Sequence, residues 1–205
     1  MSSSCFVLAT ANPDKAREII EVLRAAGADI EIEPRDLSLP DVDETGATLE
    51  ENARIKAQAL CDATDRPAIA DDTGLEVDAL DGAPGVHSAR FAGEGATYSD
   101  NVEKLLRRLD GVEGTARTAR FATVAIARWP DGREVAATGT VEGTIATSPR
   151  GHGGFGYDPV FVPDECDGRT FAELSPSEKH AVSHRGRAFR TLAEGLRVVA
   201  RVPRP

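Results

Sequence analysis

The stretch "CFVLATANPDKAREIIEVLRAAG" constrains the fold more than any other part of this 205-residue chain. A short apolar run passes within a few residues into a fully marked helix start. Asn12 can cap the helix, Pro13 suits its first position, and Gly27 suits the position just past its end. Ala16, Ile19, Ile20 and Leu23 recur at helical spacing and give one apolar face. Helix and strand signals alternate from here along the chain, so the class predicted is α/β or α+β. The strand–helix junction places backbone N–H groups and the positive helix end where an anion can sit, with Lys15 in the first turn. A plain strand–helix connection with a surface lysine would look the same.

Further helix signals recur along the chain. Thr48 and Glu51 form a capping box opening "LEENARIKAQALCDAT". On that helix Leu49, Ala53 and Leu60 share a face, Lys56 falls in its middle and Asn52 at its edge. A charge central to an apolar stripe needs a cleft, a partner or a snorkelling route to water; a cleft-facing Lys56 is expected. The segment "SDNVEKLLRRLDG" predicts a third helix with Lys104 on its solvent side. Ser175 and Glu178 form another capping box, and Ser183 caps a last helix with His184 and Arg185 in its first turn. A hairpin is expected around Pro130-Asp131-Gly132. No repeat or linker interrupts the chain, so one domain over 1–205 is expected, with a frayed tail at Pro203–Pro205.

Between the second and third helices, the apolar run "PAIA" ends on Asp71 and Asp72. Neighbouring strand side chains point to opposite faces, so one aspartate can face a site while the other is bonded into the scaffold. Carboxylates at a strand end suit Mg²⁺, although an Asp-rich turn would also explain "DDTG". Later, "GHGGFG" at Gly151, Gly153 and Gly156 matches the dinucleotide pattern G-x-G-x-x-G. That pattern requires a helix directly after it. Here Tyr157-Asp158-Pro159 leads into "VFVP", a short strand bracketed by prolines, so a Rossmann site is excluded. Phe155 and Tyr157 in this loop offer rings that could stack on a planar base.

A formal net charge of −10 disfavours a nucleic-acid binder but not a small anion held by a local cation cluster. Only four of the 24 basic residues are lysines, which are compact charges suited to phosphate. Cys5, Cys61 and Cys166 show no metal spacing and no disulfide framework. With no run of about 20 apolar residues and no basic leader, a cytoplasmic protein without membrane partners is expected. Lys15, Lys56, the aspartate pair, the glycine loop and the Lys179–Arg185 region together suggest a nucleotide polyphosphate with Mg²⁺.

Five motifs, "LATANPDK", "ETGATLEENARIKAQAL", "ADDTGLEVDALDGAPGVHSARFAG", "GGFGYDPVFVP" and "AELSPSEKHAVSHRGRA", closely resemble in order the inosine/xanthosine triphosphate pyrophosphatase family over residues 6–197. The resemblance implies an elongated two-lobed α/β domain, with a central mixed sheet flanked by helices and the active site in a cleft between lobes. It also implies a homodimer and Mg²⁺-dependent conversion of deaminated purine nucleoside triphosphates (ITP, dITP, XTP) to monophosphate and pyrophosphate, which cleanses the nucleotide pool. By motif, Thr10, Ala11, Asn12, Pro13, Asp14 and Lys15 match the triphosphate turn, and Lys56 the cleft lysine. Asp72 matches the acidic residue that serves as both metal ligand and general base, Glu44 a second metal carboxylate, and Thr73 a substrate contact usually made by Ser. Phe155, Gly156, Tyr157, Asp158, Lys179, His184 and Arg185 match the nucleoside-binding set. Ala11 stands where Gly is common. Rival readings are a related pyrophosphatase for modified pyrimidine nucleotides and a nucleotide sensor without turnover.

Overall fold

The computed structural model describes residues 4–201, so the Pro203–Pro205 tail lies outside the described residues. One sheet has the strand order β2-β1-β3-β5-β6-β7, with β4 paired to β3. The strands are β1 (Ser4–Leu8), β2 (Ile30–Pro34), β3 (Ala68–Val77), β4 (Pro84–Gly85), β5 (Thr118–Arg128), β6 (Glu134–Ile145) and β7 (Phe161–Pro163). The helices are α1 (Pro13–Ala25), α2 (Leu49–Thr64), α3 (Tyr98–Arg108), α4 (Pro176–Val182) and α5 (His184–Arg201). The mixed α/β class is therefore as expected, as is the hairpin between β5 and β6. The chain divides into two compact units. The first comprises residues up to Asp72 with Thr123–Gly139 and the segment from Arg185 on; the second comprises Thr73–Ala122 and Thr140–His184.

In the first unit β1 pairs in parallel with both β2 and β3, and it is buried on both sides, as parallel strands are. Phe6 and Leu8 pack with Ile19, Val22 and Leu23 of α1 and with Ala188, Phe189 and Leu192 of α5. Val7, one step out of phase, packs against Leu60 and Cys61 of α2. β3 follows the same rule: Ile69 joins the α1/α5 core, while Ala68 and Ala70 join the α2 side. The alternation continues into Asp71 and Asp72, which fixes the helices each can reach. These aspartates do not end a strand or form a turn, as their sequence suggested. β3 runs on through Thr73-Gly74 to Val77, because Leu75 and Glu76 pair with Gly85 and Pro84 of β4.

Helix starts behave as their local signals predict. Asn12 and Pro13 open α1, Thr48 and Glu51 close a capping box on α2, and Ser175 and Glu178 do so on α4. On α1 the buried face is Ile19, Val22 and Leu23, with Ile20 only half-buried and a carboxylate, Glu18, buried among them. In the second unit a core of Leu75, Val102, Leu105, Phe121, Phe161 and Phe171 holds α3 and the glycine loop. Lys104 does not point to solvent: its ammonium donates to the Phe91 carbonyl at 2.5 Å and lies 4.7 Å above the Phe91 ring.

Candidate functional site

The α2 face of β3 carries the first cluster. Lys56 and Asn52, four residues apart on α2, both reach Asp72. The Lys56 ammonium donates to Asp72 Oδ1 and to Glu44 Oε1, each at 2.9 Å. Lys56 is buried and bound between two carboxylates, so its charge inside the apolar stripe is met by partners rather than shown facing a cleft. Burial works against its charge, but Asp72, Asp71 and Glu44 outweigh that and hold the ammonium above its usual range. Burial also pushes the Asp72 carboxyl up; the pull of Lys56 opposes this and the repulsion of Glu44 adds to it. The two shifts differ in origin: the surrounding carboxylates raise Lys56, whereas burial is the main cause at Asp72.

The other face of β3 carries the second cluster. Asp71 lies 3.9 Å from the Lys15 ammonium of α1 and 3.6 Å from Arg185 Nε of α5. Arg185, 2% exposed, also donates from Nη1 to Glu18 Oε2 at 2.5 Å. Burial lowers the Lys15 ammonium, an effect that Asp71 partly offsets. Around Lys56 two carboxylates, Glu44 and Asp72, share one ammonium, so this trio carries one more negative than positive charge. Such a cluster favours an added cation. The helix start differs from expectation. Asn12 Oδ1 accepts from the N–H groups of Asp14 and Lys15 at 2.9 and 3.2 Å, and the Asn12 N–H donates to Thr10 Oγ1 at 3.1 Å. Pro13 has no N–H, so the first turn offers an anion the Lys15 ammonium and the helix dipole rather than a row of open donors. Ala11 is exposed beside it.

In the second unit the glycine loop closes on the 3₁₀ turn Phe171–Glu173. The His152 and Gly153 N–H groups both donate to the Ala172 carbonyl. A Cβ on Gly151 would strike the Ala172 backbone, and one on Gly154, whose φ is +69°, would strike Asp158. Close packing and positive φ therefore explain the glycines, and β7, not a helix, follows. Gly156, also at positive φ (+63°), turns the chain between Phe155 and Tyr157. Tyr157 is not a stacking ring as anticipated: it is 5% exposed in the core, and its hydroxyl donates to the Ser88 carbonyl at 2.9 Å. Phe155 is half-buried, 5.8 Å from the Tyr98 ring and 5.0 Å from the Lys179 ammonium. Lys179 and Asp158, both buried, pair at 2.6 Å, and Asp158 Oδ2 also accepts from the Phe155 N–H at 2.7 Å. His184 stacks on Phe121 at 4.4 Å and 15°. Thr73 is half-buried on β3.

Sequence reasoning missed Glu18, Asn52 and Tyr98 as members of these clusters. Glu18 left one trace, a carboxylate within the stripe of Ile19, Val22 and Leu23. Asn52 left another, at the edge of the Lys56 face. Among the described residues, no helix is long and apolar enough to cross a membrane.

The Ham1 family model matches residues 6–195. A dITP/XTP pyrophosphatase of Nitratidesulfovibrio vulgaris is 48% identical over 200 residues, covering 95% of this chain and 96% of that one. Another, from Symbiobacterium thermophilum, is 48% identical over 196 residues, or 96% of each chain. The solved structure of a HAM1 protein from Coxiella burnetii is 42% identical, covers 95% of this chain and 99% of its own, and superposes with a TM-score of 0.83. A family match over nearly the whole length, with relatives this similar and the same fold in a solved structure, means that this chain belongs to the Ham1 family.

Proposed function

We propose that this chain hydrolyses deaminated purine nucleoside triphosphates (dITP, XTP and ITP) to the monophosphate and pyrophosphate with Mg²⁺. The observation that carries the reading, in a Ham1-family chain, is the Glu44–Lys56–Asp72 arrangement, in which two carboxylates converge on one cation and leave an excess negative charge. Carboxylate oxygens are the donors Mg²⁺ takes, and two of them alongside substrate phosphates match its habit. Glu44 and Asp72 would hold it, and when bound it neutralises charge on the phosphate oxygens.

The chain's own groups do the rest. Lys15 and Lys56 offset the charge that develops on the pyrophosphate leaving group. Asp72 Oδ1 and Oδ2 are held by Lys56 and Asn52, so the carboxylate is fixed in orientation and positions the attacking water. Phe155 offers a ring face to the base, and Lys179 and Asp158 fix the loop that carries it. Arg185, locked by Glu18, and His184, locked against Phe121, serve as donors to a 6-keto group. The adenine amino group leaves such a donor unpaired, a mismatch that can cost about 10⁴-fold in specificity. The protein acts in the cytoplasm as a homodimer, and sedimentation at micromolar concentration reports the latter.

The test is a time course with dITP, ITP, XTP, GTP, ATP and a modified pyrimidine nucleoside triphosphate, reading phosphate with and without added inorganic pyrophosphatase. Phosphate is expected only with the helper enzyme, and mainly from the first three. Phosphate released without the helper means γ-phosphate hydrolysis, and preference for a modified pyrimidine nucleotide means a different substrate class; either result overturns the reading.

A further inference from the structure

We infer that Asn52 is a positioning residue that locks the Glu44 loop and the Asp72 carboxylate into a single cation-holding unit. This rests on the reading of Glu44 and Asp72 as the metal pair, and it adds a residue whose work is done one step away from the metal.

Asn52 is 0% exposed, so water cannot satisfy its carboxamide. Its two ends make two different bonds. Oδ1 accepts from the Gly46 N–H at 2.8 Å, and Nδ2 donates to Asp72 Oδ2 at 3.3 Å. The orientation of the amide is forced. A flipped group would set NH₂ against the Gly46 N–H and oxygen against the Asp72 carboxylate, both repulsive. Gly46 lies two residues beyond Glu44, whose carboxylate reaches the same Lys56 ammonium as Asp72. One buried amide therefore ties the loop that brings Glu44 to the strand that brings Asp72. Lys56 closes the circuit on the side of the charges, while Asn52 closes it from behind.

Gly46 is shaped for this contact. A Cβ there would lie 2.7 Å from Asn52 Oδ1, 3.0 Å from the Asn52 nitrogen and 2.6 Å from Glu51 Cβ. The loop can approach Asn52 closely enough to donate only because the residue has no side chain. Other residues at 52 fail for separate reasons. Leu has nearly the same shape but leaves the Gly46 N–H and Asp72 Oδ2 without these partners. Asp keeps the acceptor but sets a second negative charge against Asp72.

The probe is Mn²⁺, followed by electron paramagnetic resonance of the free ion during titration of wild type, Asn52→Leu, Gly46→Ala and Asp72→Asn. The half-saturating Mg²⁺ concentration for turnover and the KM for dITP at saturating Mg²⁺ are measured alongside. Partners behind a metal ligand typically contribute about 10–100-fold in metal affinity. Asn52→Leu and Gly46→Ala are expected to weaken Mn²⁺ binding by about that factor, with KM for dITP at saturating metal changed by less than about threefold. Gly46→Ala removes no polar group, so it gives the answer if Asn52→Leu does not fold, as judged by its melting curve. If Asp72→Asn loses Mn²⁺ while both other variants bind it like wild type, the role of Asn52 is refuted and the metal pair stands. If Asp72→Asn also binds Mn²⁺ like wild type, the metal pair falls and this inference falls with it.

Discussion

Replacing Asp72 by Asn is expected to lower kcat by about 10³-fold or more, because stabilisation of transition-state charge worth several kcal/mol is lost with the carboxylate. Binding of a non-hydrolysable triphosphate analogue should change far less. The substitution is nearly isosteric, and Lys56 retains Glu44 at 2.9 Å, so no buried ammonium is stripped of its counter-charge. What changes is local: a carboxylate that accepts from both Lys56 and Asn52 becomes an amide with one oxygen, so one of the two donors faces an NH₂ group. Steady-state kinetics with dITP and calorimetric titration of the analogue separate the two effects. Turnover within tenfold of wild type would remove Asp72 from the chemistry. The neighbouring Asp71, held by Lys15 and Arg185 on the opposite face, would then be the carboxylate to examine.

The second large effect is one of stability. Lys179→Met removes the ammonium from a pair in which both side chains are about 95% buried and 2.6 Å apart. Breaking such a pair from one side costs about 3–5 kcal/mol, because the remaining charge stays desolvated. For a chain of this size that corresponds to a melting temperature lower by roughly 6–20 °C. Adding Asp158→Asn should recover much of the loss, since the amide no longer needs a counter-ion and can still accept from the Phe155 N–H. Differential scanning calorimetry of the single and double variants decides the matter. A Lys179→Met protein that melts with wild type would show that the pair contributes nothing to the fold.

The parts of this molecule that were legible in the sequence are those set by short-range chemistry. The capping boxes at Thr48 and Ser175, the Pro13 start and the β5–β6 turn each depend on residues within a few positions, and each is where its signal placed it. Lys56 was legible for a related reason, since a charge inside an apolar stripe must find a partner. Long-range pairing hid the rest. "DDTG" has turn chemistry, but β4 pairs with the next residues and keeps the chain extended. Tyr157 sits in a loop by sequence, yet its hydroxyl is claimed by Ser88, 69 positions away. Glu18 meets Arg185 across 167 positions, and Asn52 meets Asp72 across 20, distances that no periodicity in one helix can reveal. The open helix start failed for a local reason: the Asn12 cap that identifies it also occupies its donors.

The alternation along β3 makes this strand intolerant of changes in length as well as identity. Ala68, Ala70 and Asp72 face one set of helices, and Ile69 and Asp71 the other. Deleting one residue just before Ile69 would carry both aspartates to the wrong faces together, turning Asp71 to the α2 side and Asp72 to the Arg185 side, while Ile69 and Ala70 also trade sides. A substitution damages one contact, whereas a deletion inverts the whole strand. Viable insertions and deletions in this protein should therefore fall in its connecting loops and spare β3, a pattern that a deletion scan read out by melting temperature would expose directly.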